Sequence, residues 1–271
     1  MKSFTDAYRK YLDTAGPTGV QFGFDIETVA RFEPLLSLMY KAWWRVKLNG
    51  LDQIPEEGPA FLVGNGGTLF SCPGFMLMYA LMSKTTHPRR LNVLAELDWI
   101  QDESLRRLLR EIGFVQWSAD NARELLKAGE LVCVFPEGLA GSVKPPSESN
   151  RLRPFDWTMF MPALEAGVNI YPVTTLGCDE AAPVLANLES LASFMKVPVF
   201  PITPFFPWLP FPLNMLSLPI EWHMAIDKPV AVKEIINPKD DLVTHAKAVA
   251  RLSEGKIQAD LNKLLRAKIK A

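Results

Sequence analysis

The sequence predicts an α/β fold: one domain with a mostly parallel mixed sheet flanked by helices, an N-terminal amphipathic helix and a long C-terminal helix. Three observations predict it. Apolar runs of strand length recur at Ala60–Val63, Leu91–Ala95, Leu131–Phe135 and Asn169–Thr175. Segments of helical length separate them, as βαβ units require. The run from Asp240 or Asp241 to Ile269 keeps an amphipathic period to the end. No repeat or low-complexity linker divides residues 25–271, which read as one domain behind an N-terminal extension over residues 1–24.

Composition narrows the function classes. In 271 residues, 48% are hydrophobic and 22% charged, ample for a buried core. A net charge of −1 argues against a general nucleic-acid binder, which needs a basic excess. Cys72, Cys133 and Cys178 are too irregularly spaced for a metal site or a disulfide framework and read as reduced thiols of a cytosolic protein. The first twenty residues lack the apolar core of a signal peptide.

In chain order, Asp25 is an N-cap for a helix with apolar positions Val29, Phe32, Leu35, Leu36, Met39, Trp43 and Val46, bent or restarted at Pro34. Its end sets Trp43 and Trp44 beside Lys41 and Arg45, a pairing suited to a lipid headgroup layer; packing on the chain's own domain is the other reading. A short strand at Val46–Leu48 and a turn through Pro55 lead to the Ala60 strand, and a helix runs from Gly74 to Met82. Leu91–Ala95 is a strand, Ser104–Ile112 a helix and Phe114–Gln116 a strand; Asp98 and Asp102 read as surface or capping residues. Asp120 caps a helix through Lys127 that stops at Gly129. Glu221–Ile226 is a late strand with Trp222 and Met224 on one face. The last helix turns Leu242, Val249, Leu252, Ile257, Leu261, Leu264 and Leu265 inward.

Val197 to Ile220 carries no charge, yet its prolines exclude a membrane helix. Pro198, Pro201, Pro204, Pro207 and Pro210 recur at every third residue, the period of polyproline II. Phe205, Phe206 and Trp208 then cover the core, line an acyl pocket or dip into a membrane interface.

In a parallel sheet, chemistry sits beyond the strands' C-terminal ends. The turn after Val63 is Gly64-Asn65-Gly66-Gly67-Thr68-Leu69-Phe70-Ser71-Cys72-Pro73, with no acid, no base and no metal ligand beyond Cys72. The strand Leu131–Phe135 runs directly into Pro136-Glu137-Gly138, and Gly141, Lys144-Pro145, Glu148, Arg151-Leu152 and Phe155 follow.

These landmarks, with Gly167–Val173 and Gly177–Glu180, resemble the lysophospholipid and 1-acylglycerol-3-phosphate acyltransferase superfamily over roughly residues 22–270. The resemblance implies a glycerolipid acyltransferase-like fold. It also implies a first motif of Asn-His, a spacer and Asp, in which His takes the acceptor hydroxyl's proton and Asp orients the imidazole. Such a base is worth about 10²–10⁴ in rate. Here Asn65 matches, but Gly66 stands at the His position and Pro73, or Ser71 in a shorter spacing, at the Asp position. Ser147, Ser149 and Pro154 stand where the resemblance, which is closest to a bacterial branch of the family, implies arginines.

Substrate contacts carried over from the family fall on Asn65, Glu137, Gly138, Lys144 and Arg151. The expectation is a catalytically degenerate, lipid- or acyl-binding relative, cytoplasmic and peripheral on the inner face of a membrane. Its expected partners are a phospholipid or acyl chain, the membrane surface, an active acyltransferase or acyl-carrier protein, and no nucleic acid or metal. Two alternatives stay open. One is an active transferase taking acyl-CoA or acyl-carrier protein as donor to a hydroxyl or amine, with a substitute base, Ser71 or Cys72. The other is a protein-interaction module. His87, His223 and His245 each read as solvated or structural.

Overall fold

The structure, a computed structural model, describes residues 22–66, 71–85, 87–209, 217–235 and 240–270. Strands β1 (Lys47–Asn49), β2 (Ala60–Gly64), β3 (Leu91–Ala95), β4 (Phe114–Gln116), β5 (Leu131–Val134), β6 (Ile170–Leu176) and β9 (His223–Ile226) form a seven-stranded sheet of order β1-β9-β6-β2-β5-β3-β4. β7 (Ala186–Asn187) and β8 (Pro201–Ile202) form a separate antiparallel pair. The strands β6, β2, β5, β3 and β4 run parallel, while β9 is antiparallel to β6 and carries β1 parallel to itself.

Alternation along β2 and β5 builds two cores. Ala60, Leu62, Leu131 and Cys133 face the helices Ile26–Leu38 and Cys72–Ser83. Phe61, Val63, Val132 and Val134 face the helices Ala119–Lys127 and Leu242–Lys270. Both sheet faces are therefore covered, which is why these strands read as continuous apolar runs. Burial raises the pKa of the Cys133 thiol and leaves it inert. Asp25 caps the first helix through the Glu27 and Thr28 amides, each 3.2 Å away.

Several local expectations change. Pro34 lies inside an uninterrupted helix that winds into a π turn over Met39–Trp43. Ser118, not Asp120, caps the next-but-two helix, accepting from the Asn121 amide at 3.0 Å. Leu252 is exposed on the last helix, whereas Val249, Ile257 and Leu261 are fully buried. The every-third-proline segment does not form polyproline II over its described part. Pro201 and Ile202 pair with β7, and Leu209 N–H closes a turn on the Phe205 carbonyl at 2.9 Å. Backbone partners and the edge-on contact of Phe200 with Phe206 outweigh a conformation that has no internal hydrogen bonds. Pro210 and Pro212 lie outside the described residues. Packing also begins before residue 25, since Phe24 is buried with the Arg90 guanidinium 4.4 Å over its ring.

Candidate functional site

The strand order decides where the site lies. The helix after β2 leads to β3, yet β5 inserts between those two strands, so the ends of β2 and β5 open side by side with Val63 paired to Val134. Asn65 and Gly66 continue from one end, Phe135 to Gly138 from the other.

Asn65 is buried, and its amide spans to β6: Nδ2 donates to the Thr175 carbonyl at 2.9 Å and Oδ1 accepts from the Thr175 N–H at 2.7 Å. The side chain thereby ties the end of β2 to β6. At Gly66 a Cβ would stand 2.7 Å from Phe135 Cδ1, so the aromatic ring occupies the space into which any side chain there would point. Ser71 takes a left-handed conformation (φ 45°) before the helix Cys72–Ser83, and Pro73 occupies its first turn, where no backbone donor is needed. Ser71 faces the crevice, whereas Cys72 packs against the core.

The crevice between these ends has a volume of about 50 Å³. That is well below the roughly 300–1,000 Å³ of sites that enclose whole small molecules. Gly66, Phe135 and Gly138 line it together with Glu96, Trp99 and Trp117. Glu96 is the acid that reading by motif misses. Its signal was its place immediately after β3, as Trp117 follows β4, at the C-terminal ends of parallel strands.

Glu137 points away from the crevice, into the protein. Its Oε2 accepts from Lys144 Nζ at 3.2 Å and from the Arg153 N–H at 2.9 Å. Lys144 is itself held by Asp179 Oδ2 at 2.9 Å, and both Glu137 and Lys144 side chains are 3% exposed or less. Burial raises the Glu137 pKa, with Lys144 opposing. Burial also pulls Lys144 down, but Asp179 and Glu137 outweigh it and leave its pKa raised. Gly141 is needed here because a Cβ would lie 2.8 Å from Glu137 Cβ. Asp179 also accepts from the Asn150 N–H at 2.9 Å, and Gln258 and Glu254 of the last helix hold the backbone of Leu152 and Phe155. Lys144 is thus paired with two buried carboxylates, Glu137 and Asp179. Arg151 is exposed, and its carbonyl accepts from Lys144 at 3.4 Å.

The residues expected at a membrane divide. Trp44 is core: it stacks on Trp222 at 4.2 Å and donates to Ser217 Oγ at 3.1 Å. Trp43 is half-buried, with its indole N–H on the Ser217 carbonyl at 2.9 Å. Phe205 and Phe206 are half-buried, and Trp208 is 84% exposed. His87 is mostly exposed, His223 reaches Glu221 at 2.8 Å, and His245 is buried on the last helix; none lines the crevice. Among the described residues no group of three or more potential ligands could hold a metal ion, and no helix is long and apolar enough to cross a membrane.

Residues 45–176, from the start of β1 through β6, match the family model described as Acyltransferase. Over that stretch, just under half of its length, the chain is similar to the acyltransferase family. The chain is 33% identical over 224 residues to an uncharacterized protein of Mycobacterium tuberculosis, covering 82% of this chain and 62% of that one. An uncharacterized protein of Mycobacterium leprae is 33% identical over 213 residues, covering 78% and 58%. The chain thus spans about three-fifths of the length of these curated relatives. Its fold matches the crystal structure of the 1-acyl-sn-glycerophosphate (LPA) acyltransferase PlsC from Thermotoga maritima. That match has a TM-score of 0.55 and 16% identity, and covers 87% of this chain and 79% of that one.

Proposed function

We propose that the protein is a lipid-binding member of the glycerolipid acyltransferase group that works at a membrane surface and does not acylate an alcohol. One observation carries this reading: the Phe135 ring stands 2.7 Å from where a Cβ on Gly66 would project. An alcohol attacks a thioester only if its proton is removed as the bond forms, and an imidazole at Gly66 needs that ring to move. A surface role is supported by Trp208 and Phe194, each 84% exposed. Large amphipathic and apolar rings of this kind favour the interfacial layer of a bilayer.

A second reading is favoured by Glu96, the one carboxylate among the described residues that line the crevice: active acyl transfer with Glu96 as the base. Thiol release from acyl-CoA or acyl-carrier protein in the presence of lysophosphatidate separates the two. Background release is expected. Turnover that disappears in Glu96→Gln or Cys72→Ala would overturn the non-catalytic reading. The surface role is tested by vesicle flotation, which should weaken in Trp208→Ser and Phe194→Ser; unchanged flotation of the double variant overturns it.

A further inference from the structure

We infer that the end of the last helix, Leu242–Lys270, docks on negatively charged lipid headgroups, with Lys263, Arg266 and Lys268 selecting an anionic bilayer over a zwitterionic one. This rests on the reading of the protein as working at a membrane surface and names the lipid class of that surface.

The helix runs toward the strands' C-terminal ends. Lys256 reaches Asp227 at 3.4 Å, and the Asp227 N–H donates to the Pro172 carbonyl in the middle of β6. Further along, Gln258 donates to the Asn150 carbonyl at 2.9 Å, and the Asn150 N–H donates to Asp179, past the end of β6. Residues 259–270 then continue for about 18 Å at the helical rise. The core stripe stops before the helix does. Leu261 is buried, Leu264 and Leu265 are half-buried, and Lys268, next on that face at helical spacing, is exposed. Ile269 beside it is 78% exposed.

The charge of this end has one sign. From Leu261 to Ala271 the sequence has Lys263, Arg266, Lys268 and Lys270 and no acid. Lys263, Arg266 and Lys268 are exposed, and among the described residues no carboxylate is ion-paired with them. Arg151, exposed next to Asn150, adds a cation. The acids of that loop and of the turn after β6 are engaged: Glu148 with Arg153 at 2.6 Å, Glu180 with Asn150 at 2.7 Å, and Asp179 with Lys144 at 2.9 Å. Asp260, three positions before Lys263, has Lys256 as well as Lys263 near it. The helix macrodipole favours cations within the last turn, which accounts for Lys268 but not for Lys263 or Arg266.

Exposed apolar side chains share this end of the sheet. The segment after the helix Cys178–Ala181 leaves directly from the end of β6, and its Lys196 carbonyl accepts from Gln101, beyond β3, at 3.4 Å. It presents Leu185, Phe194 and Trp208 to solvent. Rings for the interfacial layer, with cations for the headgroups, match a negatively charged bilayer. A soluble polyanion would engage the cations and leave the rings in water.

Flotation of the full chain with equimolar phosphatidylglycerol–phosphatidylcholine vesicles against pure phosphatidylcholine vesicles tests the inference. The anionic vesicles should carry more protein, and raising salt from about 0.1 M to 1 M should remove the difference, as the screening length falls from about 10 to 3 Å. At about fivefold per cation, Lys263→Gln with Arg266→Gln and Lys268→Gln should weaken partitioning onto the anionic vesicles about 100-fold. Lys263→Arg with Lys268→Arg keeps the charge and should bind as the native chain does. All three side chains are exposed, so the triple variant should melt at the native temperature by circular dichroism; the lipid and salt comparisons need no variant. Equal flotation on both vesicles, or undiminished flotation of the triple variant, overturns this inference and leaves the membrane reading standing. No flotation on either vesicle overturns the membrane reading and this inference with it, and so does binding to duplex DNA without flotation.

Discussion

The loop after β2 and the loop after β5 meet at one crevice, yet they are built on opposite terms. After β5, the buried charged side chains are answered from inside the protein. Glu137, Lys144 and Asp179 form a buried chain of ion pairs, and the last helix holds the backbone around Leu152 and Phe155. After β2, Asn65 is answered this way among the described residues, and Gly66 meets an aromatic ring. The contrast bears on what a motif means. Glu137 and Lys144 have a structural reason to be where they are, independent of any reaction, because an uncompensated charge at that depth is expensive. Their presence is no evidence of turnover. The crevice-facing positions have no such constraint.

The strongest way to break the comparison is Lys144→Met, which leaves Glu137 and Asp179 buried against each other. A loss of about 3–5 kcal/mol is expected in urea unfolding. On the other loop, Asn65→Ala should cost about 1–3 kcal/mol by stripping partners from the Thr175 backbone. Gly66→His should cost about 1–3 kcal/mol through overpacking against Phe135. Combining it with Phe135→Leu should recover more than about 0.5 kcal/mol of the summed single losses. That pair, with Pro73→Asp added, is the variant in which thioester turnover should first be sought.

A pH series sharpens the comparison further. Burial raises the Glu137 carboxyl, with Lys144 opposing. A carboxyl raised above its unfolded value of about 4.3 contributes stability that is complete below that value and lost as pH rises through the folded one. The stability of the native protein relative to Glu137→Gln should therefore improve as pH falls from neutrality toward about 4. Glu165, held low chiefly by its hydrogen bond to Arg123, should show the opposite sign, its contribution vanishing on acidification. The smallest effect belongs to the surface: Trp208→Ser should leave unfolding free energy within about 0.5 kcal/mol of native.

A larger depression, about 530 Å³ near Asn49, Asp52, Lys84 and Arg89, opens at the other end of the sheet. There Arg89 donates to the carbonyls of Pro55, Gly58 and Gly129 and closes the strands' N-terminal side. Volume and chemistry therefore part company, and the strand polarity favours the smaller crevice.

Local pattern alone determined the layered sheet. Leu91–Ala95 and Phe114–Gln116 are strands to the residue, because strands buried on both faces leave an unbroken apolar signal. It also determined that no histidine or carboxylate lies between Asn65 and Pro73. Only the tertiary structure decided which polar residues are available and which are consumed. Lys144 reads as a headgroup cation until Asp179, 35 positions later, is brought within 2.9 Å of it. Trp44 reads as interfacial until Trp222 stacks on it, and Glu96, which no motif singles out, comes to line one crevice with Gly66 only through strand order. Burial and charge pairing depend on which distant strands become neighbours, and no local period encodes that.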